Sequence, residues 1–186
     1  MTLALRVIAL LQLAVLGGCA MSDRPAAVSY DNARQYRLGA GDQVRVVVFD
    51  QPSLSAAYTV DASGAVSVPL AGRLKAENRT VHQREGAIGG ALKDKGLVAD
   101  PKVTVEVAVY RPFSILGEVR APGRFPYAPG MTVEDAVALA GGYTIHAEQG
   151  SVRVTTRTSD SQVTDFRPPT ASFFAGDTLY VPERWF

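Results

Sequence analysis

Few side chains in this 186-residue sequence are of types that combine into a reactive or metal-binding site. Its two histidines, His82 and His146, have no histidine–glutamate spacing of the kind that binds zinc in peptidases. The sequence has no G-x-S-x-G motif for a serine nucleophile. Its adjacent acids Glu134 and Asp135 are explained by helix capping. We therefore predict a protein that is not an enzyme and has no catalytic residue, metal or cofactor.

The only cysteine, Cys19, is placed for a different chemistry, the attachment of lipid. It follows Val7–Leu16, an apolar run of secretory-signal length that is too short to span a bilayer, and the small residues Gly17–Gly18. This layout resembles the lipobox of bacterial lipoproteins, which implies cleavage before an acylated Cys19. Ordinary signal cleavage after Ala20 is the alternative, because Gly18 and Ala20 satisfy the small-x-small rule.

On the lipoprotein interpretation, residues 1–18 are a signal peptide, and residues 19–35 are a tether between a membrane anchor and the folded part. By the same resemblance, the alanine that follows the cysteine implies the periplasmic face of the outer membrane. Several acyl chains are needed for persistent anchoring, since each buried CH₂ contributes about 0.8 kcal/mol and a single chain binds only marginally.

Composition and charge argue against other classes of protein. The sequence is 47% hydrophobic and 20% charged, an ordinary globular balance, and its formal net charge is +1. No basic cluster is visible, so nucleic acid is not expected as a partner. A single cysteine cannot form an intramolecular disulfide.

The stretch Ile115–Gly142 predicts two short strands followed by a capped helix. Pro122–Gly123 is a turn signal between the strands. Thr132 and Asp135 approximate a capping box, an apolar stripe at helical spacing follows, and Gly141–Gly142 ends the helix. Further strands are predicted at Val152–Thr156 and Gln162–Phe166, joined at Ser159–Asp160, and at Thr178–Val181.

The preceding half of the chain predicts a second set of strands around one helix. Valine alternates strictly in Lys102–Tyr110, which is the clearest half-buried strand, and Thr80–Gln83 is a capping-box signature for a helix that ends near Lys95. The other predicted features are a glycine-rich turn at Tyr36–Asp42, a strand at Gln43–Phe49, and a two-stranded hairpin within Tyr58–Leu74 that turns at Asp61–Gly64. The motif Ala40-Gly-Asp42 recurs as Ala175-Gly-Asp177, and each copy precedes a strand.

Motifs in both halves resemble the two domains of bacterial outer-membrane polysaccharide exporters. The runs G-E-V-R-A-P-G-R-F and T-V-E-D-A-V-A-L-A-G-G are similar to the start of the SLBB module, a soluble-ligand-binding β-grasp. The runs Y-R-L-G-A-G-D, V-D-A-S-G-A-V-S-V-P-L-A-G and P-K-V-T-V-E-V are similar to the polysaccharide export domain that precedes such modules. The resemblance implies an α+β protein, with a small mixed α/β export domain at residues 36–109 and a β-grasp SLBB domain at residues 110–186.

The resemblance also implies a function, as a lipoprotein of an exopolysaccharide or capsule export system that forms part of an oligomeric translocation conduit. The implied partners are the polysaccharide, further copies of the chain in a homo-oligomeric ring, and an inner-membrane polysaccharide copolymerase. After Cys19 the sequence has no apolar run long enough to span lipid, and it lacks the C-terminal amphipathic helix of longer exporters. We therefore expect a separate outer-membrane partner.

Two other functions stay open at the level of sequence. A monomeric carbohydrate-binding or adaptor lipoprotein would use the β-grasp module only to hold a soluble glycan. An envelope glycosidase needs two carboxylates that are close in space, and sequence spacing does not reveal such a pair.

Aromatic residues are concentrated in the C-terminal half, where we expect most of them in the core. A domain of roughly 75 residues has little other side-chain mass with which to fill its interior. Trp185 and Phe186 are the expected exceptions, because chain termini are commonly exposed. The set is Phe113, Phe125, Tyr127, Tyr143, Phe173, Phe174, Tyr180, Trp185 and Phe186.

Overall fold

The computed structural model of the protein describes residues 36–158 and 161–185. The predicted signal peptide, Cys19, the tether, the turn at Ser159–Asp160, and Phe186 lie outside the described residues. The architecture is α+β, as predicted, and is built on two hydrophobic cores that lie one after the other along the chain. We call the two parts the first unit and the second unit.

The first unit is a three-stranded antiparallel sheet with a separate hairpin and one helix. Its elements are β1 (Gln43–Val48), the 3₁₀ turn Pro52–Leu54, β2 (Ala56–Thr59), β3 (Ala65–Val68), β4 (Gly72–Lys75), α1 (Val81–Asp94) and β5 (Val103–Val109). Strand β1 is central, between β2 and β5, and its alternate valines are buried. Helix α1 begins at the predicted capping box of Thr80 and Gln83 and buries Ile88 and Leu92, so its apolar face packs into the core of this unit.

The predicted hairpin within Tyr58–Leu74 is wrong in its pairing. Strand β2 pairs with β1, whereas β3 and β4 pair with each other. The turn at Asp61–Gly64 does form, and the Asp61 N–H donates to the Ala65 carbonyl, but this turn joins two different sheets. The chain reverses again after Pro69, which has no N–H to continue a ladder and is followed by Leu70 with a φ of 63°.

The second unit is a five-stranded sheet covered on one face by a short helix. Its elements are β6 (Phe113–Gly117), β7 (Gly123–Phe125), α2 (Val133–Leu139), β8 (Val152–Arg157), β9 (Gln162–Arg167) and β10 (Thr178–Val181). The strand order is β7-β6-β10-β8-β9, with β10 parallel to β6 and antiparallel to β8. Thr132 and Asp135 form the predicted capping box, and Val133 and Val137 of α2 pack in the core of this unit. This arrangement is the predicted β-grasp.

The other face of the five-stranded sheet is open. Residues such as Val154 and Leu179 point to the helix side and are fully buried. Their neighbours along the strands point away from the helix. The strand register places Leu116, Tyr180, Arg153 and Phe166 in one row across four strands, and all four are exposed. We call this side of the sheet the open face.

Most of the predicted core aromatics are at least partly buried. Phe113 and Phe173 are almost fully buried, and Phe125, Tyr127, Tyr143 and Phe174 are half-buried. Trp185 is 94% exposed, as expected for a residue near the terminus. Tyr180 is an exception that the prediction missed, because it lies on the open face.

Candidate functional site

The repeated Ala-Gly-Asp motif forms the same turn in both units. In the first, the Asp42 carboxylate accepts a hydrogen bond from the Gly39 N–H at 2.8 Å, and the Asp42 N–H donates to the Gly39 carbonyl at 3.1 Å. In the second, Asp177 makes the same pair of bonds with Phe174, at 2.9 and 3.1 Å. The glycine before each aspartate has a positive φ, 96° in the first turn and 85° in the second, which favours glycine there. Both aspartates are buried.

Arg111 lies between the two turns, where the chain passes from β5 to β6. Its backbone N–H and its guanidinium both donate to the Asp42 carboxylate, at 2.8 and 3.1 Å. Its guanidinium carbon lies 5.8 Å from the centroid of the Tyr36 ring, within cation–π range. A Cβ atom at Gly39 or at Gly176 would collide with the Arg111 side chain. The arginine therefore packs over the backbone of both turns and holds the two units together.

The buried charge of Asp42 is well compensated. Its two carboxylate oxygens accept from the Tyr36 hydroxyl, at 2.9 and 2.8 Å, in addition to the bonds from Gly39 and Arg111. Burial, aided by the negative charge of Asp42 and opposed by Arg111, raises the pKa of Tyr36 far above its ordinary value. The tyrosine is therefore a permanent hydrogen-bond donor. These hydrogen bonds offset the free-energy cost of burying the Asp42 carboxylate.

The buried charge of Asp177 has fewer partners. Burial raises the pKa of Asp177, and the Phe174 N–H, the Thr156 side chain and the more distant arginines Arg167 and Arg111 only partly oppose the effect. The two aspartates thus form the same kind of turn, but hydrogen bonds offset more of the free-energy cost of burial at Asp42 than at Asp177.

The two turns and Arg111 line a groove of about 800 Å³ between the units. We call it the basic groove, because four arginines line it, Arg37, Arg111, Arg124 and Arg157. Glu77 and Asp177 are the acids in its lining. The other polar residues have mainly hydroxyl or amide side chains and include Asn78, Ser114, Thr156, Thr158 and Thr178.

Three of the four groove arginines have no carboxylate partner within the part of the chain that the structure describes. Arg111 is paired with Asp42, whereas Arg37, Arg124 and Arg157 make no ion pair there. Arg37 donates to the Asn78 carbonyl at 2.9 Å, which leaves its other guanidinium donors available. The groove therefore presents exposed positive charge and hydroxyl groups on a concave surface.

The histidines and the capping acid that the sequence analysis considered for chemistry lie outside the basic groove. His82, in the first turn of α1, is exposed and lies 3.0 Å from Glu85, and His146 is exposed in a loop after α2. Asp135 caps α2, and its hydrogen bonds with Thr132 lower its pKa. Across residues 36–158 and 161–185, no group of three or more histidine, cysteine, aspartate or glutamate side chains is arranged to hold a metal ion. No helix in the same ranges is long and apolar enough to cross a membrane.

Sequence reasoning missed the groove arginines and the central role of Arg111. The one available signal was the recurrence of Ala-Gly-Asp, which marks equivalent turns in two units. The recurrence does not show that both turns meet at one arginine, because that contact is made only in the folded chain.

Comparison with known proteins gives the class to which this fold and groove belong. The model for "Polysaccharide biosynthesis/export protein" matches residues 31–108, and the model for "SLBB domain" matches residues 112–166. The chain thus contains a polysaccharide export domain followed by an SLBB domain. The chain belongs to the bacterial outer-membrane polysaccharide export family, which confirms the resemblance in its motifs.

Two relatives show how the similarity is distributed. The chain is 39% identical over 142 residues to the exopolysaccharide production protein ExoF of Rhizobium meliloti (strain 1021), covering 70% of this chain and 33% of that protein. It is 33% identical over 151 residues to the EPS I polysaccharide export outer membrane protein EpsA of Ralstonia solanacearum, covering 66% of this chain and 39% of that protein. The chain thus spans between a third and two fifths of the curated relatives that it matches.

Proposed function

We propose that this protein acts in the export of an exopolysaccharide or capsule, as one subunit of an oligomeric translocation conduit. The observation that most supports the proposal is the succession of two family matches, a polysaccharide export domain at residues 31–108 and an SLBB domain at residues 112–166. The names of ExoF and EpsA connect relatives of this chain with polysaccharide production and export. The family consists of export proteins, so the proposed role includes no reaction.

Gene deletion tests this role directly. Polysaccharide would be measured in the culture medium and in the periplasm of the wild type, the deletion strain and the deletion strain carrying a plasmid-borne copy. We expect the deletion to abolish secreted polymer and the plasmid to restore it. Export that is unchanged by the deletion contradicts the proposal.

The proposed location is the periplasmic face of the outer membrane, with acyl chains on Cys19 as the anchor. The lipobox-like sequence supports the anchor, and the description of EpsA as an outer membrane protein supports the location. The test is the intact mass of the mature protein, together with its distribution between membrane and soluble fractions. We expect a lipid-modified chain that begins at Cys19, and a Cys19→Ser variant that leaves the membrane fraction. An unmodified chain that begins at Met21 refutes the anchor.

The proposed partners are further copies of the chain in a ring, an inner-membrane polysaccharide copolymerase and a separate outer-membrane protein. The resemblance of both domains to polysaccharide exporters supports assembly, because it implies a homo-oligomeric ring. Native mass spectrometry of the lipidated protein in detergent, and cross-linking in intact cells, test the ring. A strictly monomeric protein in both experiments favours the second candidate.

The second candidate is a monomeric carbohydrate-binding or adaptor lipoprotein of the cell envelope. The basic groove is the observation in its favour, because a concave surface with hydroxyl groups and arginines suits a soluble glycan. The export assay separates the two functions, since a binding protein that is not part of the conduit leaves secretion intact.

A further inference from the structure

We infer that the basic groove and the adjoining open face bind an acidic segment of the polysaccharide, with Arg124 and Arg157 holding sugar carboxylates. This inference rests on the proposed export function and adds the chemical class of the substrate and the residues that recognise it.

The charge of the open face is the first argument. The strand register places Arg153 and Arg157 of β8 and Arg124 of β7 on this side of the sheet. The other residues that the register places there include no acid. They are Ser114, Leu116, Thr155, Gln162, Thr164, Phe166, Thr178 and Tyr180. A side of the sheet with three arginines and no carboxylate attracts an anion.

The sheet of the first unit shows that this imbalance is not general. There, Arg45 of β1 lies directly opposite Glu106 of β5, so the positive charge faces a negative one across the strands. The protein as a whole is also close to neutral, with a formal net charge of +1. The groove and the open face therefore carry a local excess of positive charge on a nearly neutral protein, which favours an anionic ligand.

The chemistry of the arginine side chain is the second argument. A guanidinium group offers a planar pair of donors that matches the two oxygens of a carboxylate, and such bidentate bonds are stronger than neutral ones. Arg124 and Arg157 are exposed and make no ion pair within the described ranges. The Arg157 guanidinium donates one long hydrogen bond, of 3.4 Å, to the Gln162 side-chain oxygen.

A row of hydroxyl side chains that begins at Arg124 and crosses the sheet is the third argument. In register across the sheet, Arg124 lies beside Ser114, Ser114 beside Thr178, Thr178 beside Thr155, and Thr155 beside Thr164. Five strands at a spacing of about 4.8 Å give this row a length of roughly 19 Å, which is long enough to contact several successive sugars. Hydroxyl groups both donate and accept hydrogen bonds, as sugar hydroxyls do.

The apolar row on the same face completes the surface. Arg153 lies with its guanidinium carbon 4.5 Å from the centroid of the Tyr180 ring, so the arginine covers one face of the tyrosine. Phe166 lies beside Arg153 and is 66% exposed. Carboxylates, hydroxyls and the apolar faces of sugar rings thus each have a matching group on this surface.

Binding of a defined acidic oligosaccharide tests the inference. The full chain, purified in detergent, would be titrated by calorimetry with α-1,4-linked tetragalacturonate and with maltotetraose, a neutral tetrasaccharide of the same linkage. We expect binding of tetragalacturonate that weakens as salt is added and little binding of maltotetraose. Equal binding of the two sugars, or no binding of either, overturns the inference.

A charge-matched pair of variants locates the site. The double variant R124Q/R157Q should weaken tetragalacturonate binding at least about tenfold, because two charge-assisted hydrogen bonds are lost. The control R45Q/R120Q removes the same charge from exposed positions outside the groove lining and should change the affinity less than about twofold. An equal loss in both variants shows a general charge effect and refutes the site. A changed oligomeric state in R124Q/R157Q, with unchanged sugar binding, assigns the surface to a second copy of the chain and also refutes it.

The result is independent of the export assay. If deletion of the gene abolishes secretion but the groove shows no preference for the acidic sugar, the proposed function stands and this inference fails. If the groove binds the acidic sugar but secretion is intact in the deletion strain, the site stands and the proposed function fails.

Discussion

The two Ala-Gly-Asp turns place one local structure in two environments. Asp42 and Asp177 make the same pair of backbone bonds three residues back, and each precedes a sheet strand. Asp42 in addition accepts from Tyr36 and from two groups of Arg111. The turn is therefore determined by local sequence, whereas the compensation of its buried charge comes from the packing of the two units.

This difference gives the two aspartates different tasks. The bonds of Asp42 reach 69 residues along the chain to Arg111 and tie the first unit to the start of the second. The bonds of Asp177 hold its own turn, and burial leaves its pKa raised. The Asp42 turn thus links the two units through its hydrogen bonds with Arg111. The Asp177 turn contributes backbone against which the Arg111 side chain packs.

Of the substitutions that test this difference, that of Asp42 should change the free energy of unfolding most. Asp42→Asn removes the negative charge that compensates Arg111 and leaves fewer acceptors for the buried donors. We expect it to lower the free energy of unfolding by about 3–5 kcal/mol, as measured by urea denaturation. Asp177→Asn is the matched control and should change it by less than about 1.5 kcal/mol, because an amide oxygen can still accept from the Phe174 N–H. Equal effects of the two substitutions contradict the distinction between the turns.

The packing of Arg111 over the second turn is tested by a pair of glycines with the same backbone conformation. Gly176 and Gly130 both have a φ of 85°, but only at Gly176 would a Cβ atom collide with Arg111, since nothing lies within 4 Å of that position at Gly130. Gly130→Ala should destabilise the protein by about 1 kcal/mol through backbone strain alone. Gly176→Ala should cost about 2–3 kcal/mol, since the arginine must also move. Equal melting temperatures for the two variants would show that the arginine moves freely.

The dependence of stability on pH provides a smaller test. Because burial raises the folded-state pKa of Asp177 above its value of 3.8 in the unfolded chain, the folded state holds this proton more tightly. The stability from this residue is present below pH 3.8 and is lost as the pH rises through the folded-state pKa. Asp177→Asn lacks this loss, so its stability relative to the wild type should rise as the pH rises from below 3.8 through the folded-state pKa of Asp177. A difference that does not vary with pH contradicts the raised pKa.

The smallest expected effect is that of an exposed arginine–aspartate pair. The Arg73 guanidinium lies 2.8 Å from the Asp61 carboxylate with both side chains substantially exposed, so Arg73→Gln should leave the free energy of unfolding nearly unchanged. The pKa of Asp61 is lowered to about 2 mainly by hydrogen bonds from Ser63 and Ala65, and Arg73 contributes least. NMR titration of the variant should therefore still find a low pKa. A return to an ordinary value would show that the ion pair dominates.

Local features of the fold were predictable because short segments of sequence encode them. Thr80 with Gln83, and Thr132 with Asp135, form the predicted capping boxes, since each needs only residues three positions apart. The pairing within Tyr58–Leu74 was predicted wrongly, because alternation identifies strands without identifying their partners. A hairpin of β2 and β3 would need the shortest connection, but β2 pairs with β1 instead.

The candidate site was harder to predict, because its parts meet only in the folded chain. Arg37 lies in the first unit, Arg111 at the junction, and Arg124 and Arg157 on two strands of the second. Their spacing in sequence follows no motif. The strand register that aligns the arginines of β7 and β8 with a row of hydroxyls depends on β10, which enters the sheet between β6 and β8.

That position of β10 has a consequence for synthesis and secretion, when the chain emerges from its N-terminus. The central strand of the second unit is the last to emerge, so β6 and β8 have no partner between them until residues 178–181 arrive. Ala175, just upstream, also packs in the core of the first unit. The packing of both units is therefore completed by residues 175–181, which are synthesised late. Contacts of this sequence separation form slowly. An emerging chain thus exposes unpaired strand edges to aggregation until its last turn and strand have docked.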